Sequence, residues 1–94
     1  MIRNFRSKAL KLLYEQGNDR KIHADHREKV QDILALLDSA RMPDDLRVPG
    51  LKFDAHPLKG ARRGTWAVTV KQNWRVTFRF EGQDVFDVDY EDYH

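Results

Sequence analysis

The sequence predicts an α+β domain in which two helices precede an antiparallel sheet. Apolar residues recur at helical spacing as far as Leu37, and the period changes to two after Gly64. Helices followed by a run of strands are typical of the α+β layout, in which the helices cover one face of the sheet. The expected order of elements, with a short strand at the start, is β-α-α-β-β-β-β.

Length and composition restrict the class of protein further. The 94 residues suffice for one domain over residues 1–94. Hydrophobic residues are 40% and charged residues 34% of the chain, as in globular domains with a charged exterior. No apolar run approaches the roughly 20 residues that span a bilayer, the start lacks a signal-peptide core, and there is no cysteine. We therefore expect a cytoplasmic protein without membrane contact.

The first elements are a short strand and a helix. Residues 1–5 predict the strand, and residues 6–16 predict a helix for which Gly17 is a plausible C-terminal cap. The side chains expected on the apolar face of this helix are Leu10, Leu13 and Tyr14.

A second helix follows a turn. Asp25 is expected to cap it, with Glu28 three residues later in the capping-box position. Residues 42–45 are expected to end the helix, because they include a proline. The apolar stripe of this helix comprises Val30, Ile33, Leu34 and Leu37.

Three strands with one buried and one wet face are expected after Gly64, and residues 52–58 predict a further strand before them. The wet face carries Thr69, Arg75, Thr77 and Arg79, and is left for solvent or a ligand. Like faces must meet across each hairpin, which favours three-residue loops at 71–73 and 82–84. The expected apolar pairs are Val70–Trp74, Val68–Val76 and Trp66–Phe78 in the first hairpin, and Phe80–Phe86, Phe78–Val88 and Val76–Tyr90 in the second. The expected ionic pairs are Arg79–Asp87 and Arg75–Glu91.

Charge is divided unevenly along the chain. Between Arg47 and Arg79 the only anion is Asp54, whereas Phe80 to His94 contains no lysine or arginine. A basic block in a small domain favours a polyanionic partner. Composition alone leaves open an ordinary solvated surface whose two halves neutralise each other across the sheet. The cations of the basic block are Arg47, Lys52, Lys59, Arg62, Arg63, Lys71, Arg75 and Arg79, and the anions that follow are Glu81, Asp84, Asp87, Asp89, Glu91 and Asp92.

Three segments carry residues suited to chemistry. Residues 56–64 form a glycine-flanked basic turn that can approach phosphates, or a surface hairpin with solubilising charges. Arg75 lies in the middle of the wet face, where a guanidinium can stabilise a phosphorane-like transition state or pair with a carboxylate. Residues 90–94 end the chain with Asp92, Tyr93 and His94, which together supply a proton acceptor, proton donors and an orienting hydrogen bond.

Histidine spacing gives a weaker indication of a metal site. His23 and His26 lie three residues apart around a helix start, without acidic or thiol ligands nearby in a zinc-like pattern. We interpret both as solvated residues at the end of a helix, and we expect neither a metal nor another cofactor.

Together these segments resemble one family. The pattern Leu58-Lys59-Gly60-x-Arg62-x-Gly64-x-Trp66, then Asn73-Trp74-Arg75-Val76-x-Phe78, then Tyr90-x-Asp92-Tyr93-His94 is similar to that of HigB-type plasmid-maintenance or host-killing toxins of the RelE/ParE superfamily. The similarity runs nearly from end to end, with the motifs in the order and spacing of the family.

The resemblance implies a fold, an activity and partners. The fold is RelE-like, with two helices packed on a curved antiparallel sheet. The activity is metal-independent endonucleolytic cleavage of mRNA in the ribosomal A site, with contacts to 16S rRNA. The further partner is a HigA-type helix-turn-helix antitoxin, through which alone the toxin would meet operator DNA.

The resemblance also assigns residues by motif position. It implies that His56, Asp92, Tyr93 and His94 form the catalytic group, beside which Lys59 and Arg75 neutralise the scissile phosphate. The residues expected to contact RNA or the ribosome are Arg62, Arg63, Lys71 and Arg79.

Two alternatives stay open at this point. A gyrase poison of the ParE kind would share the fold and use the basic surface without needing His56 or His94. A binding module without catalysis would need the basic block alone. Cleaved transcripts, double-strand DNA breaks and unimpaired growth on overexpression distinguish the three functions.

Overall fold

The structure is a computed structural model that describes residues 1–47 and 54–92. The strands of these residues form one antiparallel sheet in which strand order follows the chain. Two helices and this sheet confirm the predicted α+β class. The helices are α1 (Lys8–Gln16) and α2 (Arg27–Ser39), and the strands are β1 (Ala55–Pro57), β2 (Trp66–Lys71), β3 (Trp74–Glu81) and β4 (Asp84–Asp92).

The segment at the start of the chain lies alongside β4 in parallel orientation. Isolated bridges join Ile2 to Val85 and Phe5 to Val88. The backbone N–H of Arg3 donates to the carbonyl of Val85 at 2.8 Å. The predicted strand over residues 1–5 is therefore an extended segment that pairs at separate points and covers the edge of β4.

Helix α1 begins two residues later than the sequence pattern indicated. Ser7 precedes it, and the Ser7 hydroxyl accepts a hydrogen bond from the backbone N–H of Leu10 at 3.2 Å. This bond satisfies one of the amides that a helix start leaves without a partner. Gly17 caps the other end with a φ of 66°, as predicted, and its N–H donates to the carbonyl of Leu13.

The predicted cap of the second helix is wrong. Asp25 lies inside a 3-10 turn (Ala24–His26), and His26 is the residue that precedes α2. The Asp25 carboxylate instead binds the Lys71 ammonium at 2.9 Å. The predicted apolar stripe of α2 is confirmed, since its four members are buried in the core.

Helix α2 ends at Ser39, and the break expected at residues 42–45 is a 3-10 turn over Pro43–Leu46. The next predicted element, a strand over residues 52–58, is present as the shorter β1. Lys52 and Phe53, which the prediction included, lie outside the described residues.

The first hairpin confirms two of its three predicted apolar pairs. Trp66 lies opposite Phe78, and Val68 lies opposite Val76. Trp74 lies opposite Lys71 and not opposite Val70, because a bulge between Thr69 and Lys71 adds one residue to β2. The turn therefore contains only residues 72 and 73, and its left-handed residue is Gln72, with a φ of 52°.

The second hairpin turns through two residues, Gly82 and Gln83, instead of three. Phe80 consequently pairs with Val85, and the predicted Phe80–Phe86 pair is wrong. Strand β4 then contains one extra residue, which forms a bulge at Asp87, where φ is 55°. Beyond this bulge the predicted register returns. Val76 lies opposite Tyr90 as expected, whereas the position expected for Phe78–Val88 falls within the bulge.

The core lies between the helices and one face of the sheet. Leu10, Ile33 and Leu37 contribute from the helices, and Val76 and Phe78 contribute from β3, all with no exposed surface. The helices thus cover the apolar face, as expected from the alternation along the strands. The opposite face of the sheet is left open.

We expect Gly17→Ala to lower the free energy of unfolding by about 1 kcal/mol, because an L-residue at a φ of 66° is strained even though no atom obstructs a methyl group there. For a domain of this size, the melting temperature should fall by about 4–8 °C in a thermal scan. Gln16→Ala, which changes a neighbouring exposed helical residue, is the matched control and should melt close to the wild type. Equal melting of both variants would contradict the assigned cap.

Candidate functional site

The open face of the sheet carries a polar depression beside β3 and β4, with a cavity volume of about 230 Å³. Four of its lining residues are arginines and two are aspartates, so its chemistry suits an anionic ligand and not an apolar one. We call it the arginine depression. Its lining residues are Arg6, Ala61, Arg62, Arg63, Thr65, Thr77, Phe78, Arg79, Asp87 and Asp89.

Arg62 is fixed in this depression by Glu91. A 3-10 turn (Gly60–Arg62) follows β1, and the Arg62 guanidinium donates two hydrogen bonds to the Glu91 carboxylate at 3.0 and 2.7 Å. The buried Thr77 hydroxyl donates a third hydrogen bond to the same carboxylate. Arg62 holds the pKa of Glu91 below its ordinary value, although burial acts in the opposite direction. A bidentate pair of this kind fixes the plane of the guanidinium.

Arg79 is held in place by several groups of β3 and β4. Its Nε lies 2.7 Å from the Asp87 carboxylate, which confirms the predicted ionic pair, and another nitrogen lies 3.2 Å from Glu81. Its guanidinium also lies 5.5 Å from the ring centre of Phe86. The hydrogen bond to Arg79 lowers the pKa of Asp87, and the Asn4 side chain contributes in the same direction. Most of the charge of Arg79 is thus neutralised within the protein.

Two further arginines of the depression have weaker internal pairing than Arg62 and Arg79. Arg63 is exposed, and its guanidinium makes no hydrogen bond or ion pair with any other described residue. Arg6 reaches the depression from the start of the chain and lies 3.9 Å from Asp87, at the long end of an ion pair. Sequence analysis missed Arg6 because the pattern placed it inside the first helix. Arg63 is consequently the cation of this surface that is best able to bind an external anion.

His56 and Lys59 lie at the β1 side of the same sheet. His56 is opposite Ala67, which is opposite Thr77, so the three share one row across the open face. At ordinary strand spacing His56 is two strands, or about 10 Å, from Thr77. Lys59 directly precedes the turn that carries Arg62, and both His56 and Lys59 are exposed. The backbone thus places both residues toward the β1 side of the sheet, and neither is among the residues that line the arginine depression.

Arg75 lies opposite Glu91, as the predicted register requires, but the expected ionic pair between them is wrong. Arg62 holds that carboxylate, and the Arg75 guanidinium donates to the backbone carbonyls of Gln72 and of Trp74, the latter at 3.1 Å. Arg75 thereby braces the turn between β2 and β3. Its charge is not matched by a carboxylate among the described residues.

Asp92 ends β4 opposite Trp74. Residues directly opposite each other share a face, so Asp92 lies on the helix side of the sheet at its rim, where it is exposed. Arg75 and Glu91 lie on the other face, one residue away along each strand. The structure therefore places Asp92 and Arg75 at the same end of the sheet but on different faces. Tyr93 and His94 lie outside the described residues.

Lys71, which we expected to contact RNA, is outside the arginine depression and binds Asp25.

The interpretation of His26 as a solvated residue is wrong, because its side chain is buried and its Nδ1 lies 2.6 Å from the hydroxyl of Tyr90. His23 is exposed, as expected, and contacts the ring of Trp74. A sequence signal for this group exists, since an inward-facing tyrosine on a strand needs a partner for its hydroxyl.

Two structural findings concern metal ions and membranes, and both apply to residues 1–47 and 54–92. No three side chains of the kinds that ligate metals come together there. Neither described helix has the length and apolar character needed to cross a bilayer.

Two helices on one face of an antiparallel sheet, with arginines on the open face, define a RelE-like α+β fold. A family model described as the RelE-like toxin of the type II toxin–antitoxin system HigB matches residues 3–94, and the chain belongs to this family. The resemblance seen in the sequence motifs is thereby confirmed. The chain is also 42% identical over 94 residues to the endoribonuclease HigB of Proteus vulgaris, with 100% of both chains covered.

The buried His26 should make the stability depend on pH. Burial lowers its pKa below the ordinary value of 6.5, against the effect of Asp25. The unfolded chain then binds a proton at a higher pH than the folded protein does. The stabilisation is complete above about pH 6.5 and is lost as the pH falls further.

We therefore expect the wild-type free energy of unfolding, measured in urea, to fall between about pH 7.5 and about pH 5.5. His26→Asn removes this titrating group and should show a smaller fall over the same interval. The other histidines are common to both proteins and cancel in the comparison. Identical pH dependence of the two proteins would contradict the effect of burial on His26.

Proposed function

We propose that this protein is the toxin of a type II toxin–antitoxin system and acts as an endoribonuclease that cleaves mRNA in the ribosomal A site. The observation that carries the proposal is the arginine depression on the open face, in a chain that is 42% identical to a curated endoribonuclease. Cleavage of mRNA would stop translation and growth.

The open face supplies the groups that a phosphate backbone requires. The Arg63 guanidinium has no partner among the described residues, Arg6 is weakly paired, and Lys59 is exposed on the β1 side of the sheet. Cations of this kind bind nucleic acid by displacing condensed counterions, without regard to sequence. Arg62, fixed by Glu91, presents its guanidinium in one orientation and can position a phosphate once the RNA is bound.

The proposed reaction needs no nucleophile from the protein. The 2′-hydroxyl oxygen of the mRNA attacks the adjacent phosphorus, so that a 2′-oxygen–phosphorus bond forms while the bond to the 5′-oxygen of the next nucleotide breaks. One protein group accepts the proton of the 2′-hydroxyl, and another donates a proton to the leaving oxygen. The products are a 2′,3′-cyclic phosphate and a 5′-hydroxyl.

Each candidate residue has a role in this scheme. His56 or His94 is the general base, because a neutral imidazole has a ring nitrogen that can accept the proton. Asp92 orients a histidine or accepts the proton itself, and Tyr93 stacks on a base or donates to the leaving oxygen. Lys59 and Arg75 neutralise the additional negative charge of the transition state.

The ribosome is proposed to complete the site. The arginine depression is shallow and polar, and the described residues do not enclose a nucleotide on all sides. Holding the mRNA in a reactive geometry accounts for a large part of the barrier in such reactions, and the A site with its 16S rRNA can supply that geometry. The further proposed partner is a HigA-type helix-turn-helix antitoxin in the cytoplasm, through which the toxin meets operator DNA.

Programmed ribosomes test the reaction directly. Under single-turnover conditions, we expect cleavage within the A-site codon, fragments with 2′,3′-cyclic phosphate ends, and no cleavage when that codon carries a 2′-O-methyl group. His94→Ala and Tyr93→Ala should each lower the rate by roughly 100-fold or more, in the range known for acid–base groups. Loss of no more than a few-fold in both variants would contradict the assigned chain end, and double-strand DNA breaks without cleaved transcripts would show a gyrase poison instead.

The free arginine of the depression can be tested by affinity. We expect Arg63→Ala to raise the toxin concentration needed for half-maximal cleavage and to reduce the slope of log affinity against log salt by about one. Lys11→Ala removes an exposed cation from α1 and is the matched control. Equal effects of the two substitutions would mean that net charge, and not the arginine depression, attracts the RNA.

A further inference from the structure

A second polar group lies on the helix side of the sheet, away from the arginine depression. The hydroxyl of Tyr90 lies 2.6 Å from Nδ1 of His26, and the buried imidazole has only 5% of its surface exposed. The ring centroid of Trp74 lies 4.5 Å from the ring centroid of Tyr90 and 4.8 Å from that of His23. We call these four side chains the aromatic–histidine cluster.

The direction of the hydrogen bond follows from the surroundings. Nε2 of His26 faces the Asp25 carboxylate at 3.9 Å, which favours the tautomer that carries its proton on Nε2. Nδ1 is then an acceptor, so the Tyr90 hydroxyl donates to it. The Tyr90 hydroxyl is thus held by His26, in the turn that precedes α2.

This arrangement is not needed to fill the core. Tyr90 lies opposite Val76, and a phenylalanine at this position would pack against the same neighbours without a hydroxyl. A buried imidazole and a buried hydroxyl each destabilise the fold by about 1–3 kcal/mol when left without partners. The pair constrains the geometry at the end of β4, because it ties that strand to the start of α2.

The end of β4 is also where the proposed catalytic residues begin. Asp92 lies two residues after Tyr90 on the same face of the strand, opposite Trp74. Lys71 and Asp25 join at 2.9 Å beside the cluster and fix β2 to the same turn. Movement of the Tyr90 ring would therefore be transmitted along β4 to Asp92.

We propose that His26 and Tyr90 are positioning residues that hold Asp92 in place for RNA cleavage. The inference rests on the proposed function, since it assigns a supporting role in the same reaction. Neither residue contacts the RNA. A displacement of about 1 Å at a reacting group is sufficient to lower a rate roughly 100-fold, so the loss of a single hydrogen bond has a measurable effect on cleavage.

Two tyrosines allow a matched comparison. Tyr90→Phe removes the hydroxyl that binds His26, and Tyr14→Phe removes the hydroxyl that donates to Asp38 at 2.7 Å on another side of the protein. Both substitutions should lower the melting temperature by a few degrees, since each removes one hydrogen bond. On programmed ribosomes at saturating toxin, only Tyr90→Phe should lower the single-turnover rate constant, by about tenfold or more.

The histidine provides a rescue experiment. His26→Asn keeps an oxygen close to the position of Nδ1 and can accept the bond from Tyr90, whereas His26→Leu cannot. We expect His26→Asn to retain the wild-type rate constant within about threefold, and His26→Leu to fall to the level of Tyr90→Phe, with half-saturating concentrations unchanged.

The outcomes separate the two proposals. If the wild type does not cleave on programmed ribosomes, the proposed function fails and the rate comparison is replaced by backbone amide chemical shifts of residues 91–94. These chemical shifts should change in Tyr90→Phe and remain unchanged in Tyr14→Phe. If the wild type cleaves and Tyr90→Phe has the same rate constant as Tyr14→Phe, the positioning role is overturned while the nuclease stands. Unchanged amide chemical shifts in Tyr90→Phe would overturn the positioning role as well.

Discussion

The pairing of β3 with β4 determines which side chains reach the open face, and the rest of the site depends on it. A two-residue turn sets the register near Val85, and the bulge at Asp87 shifts it by one residue before Tyr90. A slip of one residue moves every following side chain to the other face of a strand. The bulge therefore allows Val85 to enter the core while Glu91 still meets Thr77 and Arg62 on the open face.

The open face is not uniformly basic, because carboxylates neutralise some of its arginines. Glu91 engages Arg62, and Asp87 engages Arg79, so these arginines are oriented but largely neutralised. Exposed pairs of this kind add little to stability, about 0–1 kcal/mol each, and their main effect is geometric. Binding of an external anion then depends on Arg63, whose charge no other described residue matches, within a surface that the paired arginines keep in a fixed shape.

The sequence was sufficient for the fold class, the apolar stripe of α2, the Gly17 cap and half of the apolar pairs in the two hairpins, because alternation and helical spacing report burial directly. Turn length and bulges were not predictable, since one extra residue in a loop leaves the hydrophobic pattern almost unchanged. The Asp25 cap failed for a related reason, because its carboxylate found Lys71, which is distant in sequence. Long-range pairing of polar groups leaves no periodic signal.

The same limit applies to the candidate site. Motif positions assigned roles to His56, Lys59 and Arg62, but they could not show that the Glu91 carboxylate binds Arg62 and not Arg75. The buried His26 was missed because a histidine at a helix start is usually solvated. Tyr90 lies on an inward-facing position of a strand, and its hydroxyl required such a partner.

The most direct test of the account is the structure of the toxin bound to a ribosome whose A-site codon carries a 2′-O-methyl group, which prevents the proposed attack. The account predicts that the open face of the sheet turns toward the mRNA, with a phosphate within about 4 Å of the Arg63 guanidinium. We also expect His26 and Tyr90 to stay hydrogen-bonded on the helix side of the sheet. Binding of the mRNA against α1 and α2, with the arginine depression facing solvent, would contradict it.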